Sequence, residues 1–208
     1  MKIIIFGATG TVGKQVVKDA LDVNYEVTAF SRDLDKLVEF NSNNLTKLKG
    51  DVFDKTQVNQ AIKGMDAVVI VLGSGRKGKV RAQATLNIIN SMKHNQVKRL
   101  ICQSTLGTGS SQGNLNFFWK YIMFGWFLKP VFLDHELQEK YVKNSDLDWT
   151  IIRPAAFTNG DKTGAYKHGF NSTEKSLKLK ISRADVSDFL MKQLQSKKYL
   201  FKTPGLSY

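Results

Sequence analysis

Cysteine is almost missing from this 208-residue chain. The single one, Cys102, excludes an intramolecular disulfide and any cysteine-built metal cluster, and it fits a reducing compartment. His94, His135 and His168 are too far apart to make a recognisable zinc pattern, so no metal site is expected. No Tyr-x-x-x-Lys pair occurs, which argues against alcohol dehydrogenation by a tyrosine acid with a lysine one helical turn on. A G-x-S-x-G elbow and a paired-carboxylate arrangement are missing too. Apolar runs stay short of the ~20 residues that a bilayer crossing needs. Even the aromatic stretch Phe117–Phe132 is interrupted by Lys120, Lys129 and Pro130. The N-terminal apolar run feeds directly into a glycine turn rather than a cleavage site, so a cytoplasmic protein without a leader is expected.

Acidic residues are few relative to basic ones: 18 Asp and Glu against 31 Lys and Arg, a formal net charge of +13. Such a balance raises nucleic acid or anionic membranes as partners. The lysines are scattered, however, with no basic helix or aromatic RNA-binding signature, so no specific nucleic-acid binding is expected. Steering of a polyanionic cofactor or an acidic substrate explains the charge equally well. With 42% hydrophobic residues the chain can bury a substantial core as one domain, 1–208.

What is present is concentrated at the start. The β-branched run Ile3 to Phe6 breaks into Gly7, Gly10 and Gly13, and the helical pattern Val12, Val16, Val17, Ala20, Leu21 follows at once. Strand, tight turn and helix in that order aim backbone N–H groups and the positive end of a helix dipole at one spot, where glycines leave room for a phosphate. The G-x-x-G-x-x-G spacing in this context predicts a dinucleotide pyrophosphate as ligand.

A second strand, Tyr25 to Phe30, ends at Ser31-Arg32-Asp33, where an acidic residue would bind the ribose of NAD and a cation the 2′-phosphate of NADP. Arg32 supplies that cation, with Lys36 one turn later on the same face, so NADP(H) is expected. Asp33 reads as an N-cap. Leu45 to Leu48 gives a third strand ending at Gly50-Asp51-Val52, with Asp51 and Val52 against the adenine and Asp54 capping a helix over Thr56 to Lys63. Ala67 to Leu72 is hydrophobic enough to be central. It enters a second glycine turn, Gly73-Ser74-Gly75-Arg76, at the edge where open α/β sheets bind ligands. A helix from Val80 to Met92 and a fifth strand, Val97 to Gln103, follow. Strand–helix alternation over this length predicts an α/β fold: a doubly wound, Rossmann-like parallel sheet, with a small C-terminal substrate-side region.

Beyond it, Phe117–Phe132 reads as an aromatic wall beside the nicotinamide, a partner interface, a shallow membrane contact or ordinary core. A helix from Val131 to Asn144 carries Glu136 with Lys140 and Glu139 with Lys143 as i,i+4 pairs on its wet side. Asp148–Pro154 is a sixth strand stopped by proline. Ser182 caps a helix from Arg183 to Leu194 with Asp185 in its first turn, and Tyr199 to Lys202 reads as a last edge strand. Ser104, at the end of the fifth strand, can bond an acceptor or the nicotinamide carboxamide, or cap a turn. His135 can donate to an acidic substrate or act as an acid near neutral pH, or sit on a helix surface. Cys102 reads as a buried small side chain.

The segments Gly7–Gly13, Arg32-Asp33, Gly50–Val52, Asp148–Pro154 and Thr163–Tyr166, followed by Ile181–Val186, resemble the atypical short-chain dehydrogenase/reductases, NmrA-like, nearest the flavin reductase/biliverdin-IXβ reductase branch. That resemblance implies Gly7, Thr9, Gly10, Thr11 and Val12 at the pyrophosphate, Arg32 and Lys36 at the 2′-phosphate, and Asp51 and Val52 at the adenine. It implies Leu72 and Gly73, with Ser74 and Arg76, around the nicotinamide ribose, Pro154 and Ala155 beside the cofactor, Ser104 as the active-site serine and His135 bordering the substrate pocket. The sequence departs from that branch at Ala155-Ala156-Phe157, where the branch carries a histidine. The function expected is NADPH-dependent hydride transfer to a conjugated small-molecule acceptor of flavin, quinone or linear tetrapyrrole type, by a monomer or weak homodimer. The alternative is a non-catalytic protein that senses NADP(H).

Overall fold

The computed structural model describes residues 1–73 and 80–208. The first strand, β1 (Lys2–Phe6), alternates its side chains between two cores. Ile3 and Ile5 face one, Ile4 and Phe6 the other, and all four are fully buried. A strand covered on both faces belongs in the middle of a parallel sheet. β1 accordingly pairs in parallel with β2 (Glu26–Ser31) on one side and β4 (Ala67–Ile70) on the other. Outside β2 lies β3 (Leu45–Lys49); beyond β4 come β5 (Arg99–Gln103) and β6 (Asp148–Pro154). With β10 (Gly205–Ser207) and β8 (Lys167–His168) at the far side, the full order is β3-β2-β1-β4-β5-β6-β10-β8, a doubly wound sheet whose strand order reverses between β1 and β4.

Helices α1 (Thr11–Asp22) and α5 (Arg183–Gln195) cover one face. Val12, Val16, Val17 and Ala20 of α1 fall at helical spacing and are buried there, beside Val186, Phe189 and Leu190 of α5. The opposite face carries α2 (Lys55–Ile62), α3 (Arg81–His94) and α4 (Lys129–Lys143) over Val58, Ile62, Ile88, Met92 and Val142. Two of the expected caps are present. Asp54 accepts the N–H groups of Thr56 and Gln57, and Ser182 accepts that of Asp185. Among the described residues the start of α3 has no local side-chain cap; Asp134, on α4, accepts the Arg81 and Ala82 N–H groups at 3.0 and 3.1 Å instead. This bond pins the two helices where they flank the carboxyl edge of the sheet.

Two expectations need correction. Tyr199 to Lys202 is not a strand: Phe201 takes φ +56°, which breaks extended pairing, and the strand forms later as β10 (Gly205–Ser207). β10 lies between β6 and the short antiparallel edge β8 (Lys167–His168), and a separate pair joins β7 (Ala156–Thr158) to β9 (Lys180–Ser182). Glu139 is not on the wet side of α4. It bonds Lys143 at 2.8 Å as expected, but it is buried and grips Arg153 of β6 in a fork, Nε to Oε1 at 2.8 Å and Nη2 to Oε2 at 2.6 Å. No ion pair joins Glu136 to Lys140 among the described residues.

Burial pushes the Glu139 carboxyl up, but the bonds from Arg153 and Lys143 outweigh it and hold it below the ordinary value of 4.5. Its contribution to stability is therefore complete above the unfolded carboxylate range and is lost as pH falls through the lower folded value. Glu139→Gln leaves Arg153 buried without its counter-charge and should cost about 3 kcal/mol in urea unfolding at neutral pH. The same variant should lose stability less steeply than the wild type on acidification. Equal acid limbs would show that the fork contributes nothing to folding.

Candidate functional site

Between β1 and α1 the chain turns at Gly7, whose φ of +95° lies in the left-handed region. A Cβ on Gly7 would stand 2.6 Å from the Val71 carbonyl oxygen, and one on Gly13 only 2.0 Å from the Gly7 oxygen. The glycines thus let α1 approach the strand loop closely. Gly10 is the N-cap of α1 and supplies no side chain, and the first turn holds no acidic residue. The N–H groups at that end face a cleft with neither a side-chain cap nor a first-turn carboxylate among the described residues, which suits an anion.

That cleft, about 200 Å³, is lined by Gly7, Thr9, Gly10, Arg32, Lys36, Val52, Leu72 and Gly73, together with Phe30, Ser31, Gly50, Phe53 and Val80. Arg32 and Lys36 therefore line the same cleft as the glycine turn. Lys36 also bonds Asp33 at 3.1 Å. Asp33 further accepts the Asp35 N–H and does not line the cleft, as a local turn carboxylate would behave. Asp51 is likewise committed to its own turn, accepting the Phe53 N–H at 3.0 Å, and does not line the cleft. Val12 is buried in the core, and the Thr11 hydroxyl accepts from Arg183 Nε at 2.9 Å, so neither presents its side chain to the cleft. Ser74 and Arg76 lie outside the described residues. Phe53, missed in the sequence, offers a half-exposed ring to the cleft beside Val52.

A second cavity, about 350 Å³, continues along the same sheet edge beyond β5 and β6. Gln103, Ser104, Pro154 and Ala155 form its floor. Ser104 is 2% exposed, and among the described residues neither its Oγ nor the Gln103 Oε1 has a hydrogen-bond partner. Buried polar atoms without partners cost about 1–3 kcal/mol each, and both of these residues line the cavity, so a ligand that bonded them would relieve that cost. One wall is aromatic. Residues Phe118–Phe127 form a π-helix, and Trp119, Phe124 and Leu128 turn inward from that segment. Part of the aromatic stretch is therefore a pocket wall.

His135 also lines this cavity, from α4, and is buried. Burial, reinforced by the nearby Arg81 charge, pushes its imidazole down to about 3. The expectation of an acid titrating near neutral pH is thereby corrected: the ring stays neutral. Its Nδ1 faces Gln138 Oε1 at 3.3 Å, and the Gln138 amide nitrogen donates to Thr85 Oγ1 at 3.0 Å. In that arrangement Nδ1 carries the proton and Nε2 remains an acceptor. Cys102, in the strand below, is fully buried and its thiol is pushed up by burial, then by Glu139, so it is inert. Two cations complete the lining, Arg81 and Arg183. Arg183 also donates to Asn159 at 2.7 Å and covers the Phe157 ring at 5.3 Å, so through Thr11 it ties the cavity to the glycine turn. Among the described residues no group of three His, Cys, Asp or Glu could hold a metal ion, and no helix is long and apolar enough to cross a membrane.

The chain matches the NAD(P)H-binding family over residues 7–197. It is 27% identical over 207 residues to the UPF0659 protein YMR090W of Saccharomyces cerevisiae, covering 93% of this chain and 87% of that one. The fold is similar to that of the oxidoreductase ylbE from Lactococcus lactis, with a TM-score of 0.84 and 26% identity over all of this chain and 90% of that one. It also superposes on ChuY, an anaerobillin reductase from Escherichia coli O157:H7, with a TM-score of 0.83 over all of this chain and 97% of that one; at 22% identity that likeness speaks for the fold alone. Glycine turn, uncapped helix and cationic cleft agree with the family match, and the chain belongs to the NAD(P)H-binding protein family.

Proposed function

We propose that this protein is an NADPH-dependent reductase of a conjugated, lipophilic or acidic small molecule. The observation that carries the reading is the pair of orphaned atoms, Ser104 Oγ and Gln103 Oε1, on the floor of an apolar cavity that continues the cofactor cleft along one sheet edge. Glycines 7 and 10 and the α1 N-terminus receive the pyrophosphate, Arg32 and Lys36 the 2′-phosphate, Val52 and Phe53 the adenine, and Leu72 and Gly73 the nicotinamide ribose. When bound, the reduced nicotinamide supplies a hydride.

The chain's own part is to orient and to keep the reaction dry. Ser104 donates to a carbonyl or ring heteroatom of the acceptor while Gln103 accepts from a neighbouring N–H or O–H. Trp119, Phe124, Leu128 and Phe157 exclude water and stack against a flat ring system. Arg81 and Arg183 favour an acidic substituent and stabilise the negative charge that reduction develops. His135, neutral, positions the acceptor through Nε2 and is no proton reservoir, so the proton comes from solvent. The oxidoreductase name of the ylbE neighbour supports this reading.

Arg32→Asp should weaken NADPH binding ten- to a hundredfold in calorimetric titration and change NADH affinity little, because it sets an anion against the 2′-phosphate alone. Equal losses would move Arg32 away from the ribose. Ser104→Ala should lower turnover with a flavin or quinone acceptor about tenfold at unchanged NADPH affinity; unchanged turnover would make that hydroxyl structural. Cofactor binding with no turnover on any flavin, quinone or tetrapyrrole would favour an NADP(H)-sensing protein instead. The His135 ring signals in NMR should not titrate between pH 5 and 8, whereas a midpoint near 6.5 would restore it as an acid.

A further inference from the structure

The π-helical segment has two faces, and the cavity uses only one. Trp119, Phe124 and Phe132 stack inward, with ring centroids 5.8 and 5.1 Å apart. Outward stand Phe117, Tyr121, Trp126 and Phe127, which are 71, 55, 75 and 60% exposed, joined by Phe118 and Ile122. No residue of Phe118–Phe127 is buried. Leu133 and Leu137, one turn apart on the following helix α4, are exposed as well. Phe117 pairs with Tyr121 and Trp126 with Phe127, ring centroids 5.0 and 4.9 Å apart, and so many exposed rings within one short segment mark a contact surface.

Charge selects the partner. Residues 67–133 contain nine Lys or Arg and no Asp or Glu. Within the patch Lys120 and Lys129 are exposed, and Lys120 sits 5.3 Å from the Tyr121 ring centroid. Lys178 and Lys180 are exposed on either side of Leu179, which lines the same cavity as Trp119 and Phe124, and Lys175 donates to the Gly113 carbonyl of the adjoining turn. Glu174 is the one acidic residue in 162–184. A second copy of the chain would bring the same cations against these, and the net charge of +13 opposes that pairing. An anionic surface with an apolar interior satisfies both features: rings at the headgroup–acyl boundary, lysines on phosphates.

We propose that this face docks on an anionic lipid bilayer, with the outward rings of 117–127 inserted at its interface and Lys120, Lys129, Lys178 and Lys180 held against the headgroups. The segment also forms a wall of the acceptor cavity, so docking brings that cavity to the bilayer. Resting on the reductase reading, this favours an acceptor that partitions into lipid.

The test is co-sedimentation of the full chain with phosphatidylcholine vesicles, with and without about 30 mol% phosphatidylglycerol, in the absence of NADPH and any acceptor, so that its result is independent of the catalytic reading. The chain should pellet with the anionic vesicles, remain in the supernatant with pure phosphatidylcholine, and be released by about 0.5 M salt. Trp126→Ser with Phe127→Ser, and separately Lys120→Glu with Lys129→Glu, should each lower the partition coefficient at least about tenfold. Melting temperatures should not change, because the replaced side chains are exposed. Failure of the wild type to pellet with anionic vesicles overturns the proposal. So does unchanged binding of the ring variant, which would reduce the effect to general adsorption of a basic protein. A dimer in light scattering that the ring variant dissociates would assign the face to a second copy and overturn it as well.

Discussion

The structure depends on how closely α1 approaches the loop that leaves β1. Where a side chain at position 13 would overlap the Gly7 carbonyl, glycine lets the helix start almost on top of the strand end. Two consequences come from that one contact. The amphipathic face of α1 reaches the sheet and buries Val16 and Val17 against Ile3 and Ile5. The uncapped end of the helix points into the cleft at the sheet's switch point, where its unsatisfied N–H groups cost least if an anion is bound. Packing and ligand recognition are therefore set by the same absent side chains.

From that anchor the sheet order distributes the chemistry. The ends of β1 to β4 surround the first cleft, and those of β5 and β6 the second cavity, on strands spaced about 4.8 Å apart. Arg32 and Lys36 line the first cleft, whereas Gln103 and Ser104 floor the second, with Arg81 and Arg183 also in its lining. Remote contacts keep the second in shape. Asp134 holds the start of α3 to α4, and the Arg153–Glu139 fork locks α4 to β6, with Arg153 also bonding Ser110 at 3.1 Å. The remaining wall, from the π-helical segment, presents Trp119 and Phe124, whose ring centroids lie 5.8 Å apart.

Where the structural information was local, the sequence was readable. Glycine spacing, β-branched runs and the Asp54 and Ser182 caps each act within a few residues, and they placed the first six strands, the helices α1 to α5 and the glycines at the cleft; charge at a strand end pointed to Arg32 and Lys36, and the family likeness added Thr9 and Leu72. What escaped depends on contacts far apart in the chain. Glu139 looked wet because its partner Arg153 lies on another element, and its i,i+4 lysine explained it well enough alone. Asp134 gave no cap signal because it serves a helix that starts 53 residues earlier. The ends of the C-terminal strands turned on a positive φ at Phe201, which a phenylalanine does not advertise. Arg183 could have been noticed inside the Ile181–Val186 segment that the family likeness singled out; Gln103 had only its place beside Ser104.

Joining the two cavities by one bound molecule is the claim on which the functional account stands. A ¹H–¹⁵N NMR titration with NADP⁺ tests it most directly, following the backbone amides of Gly7 to Gly13 and that of Ser104 together. The account predicts that both groups shift along one saturation curve with a single dissociation constant. A glycine loop that responds while Ser104 stays still, or no response at either, would contradict it.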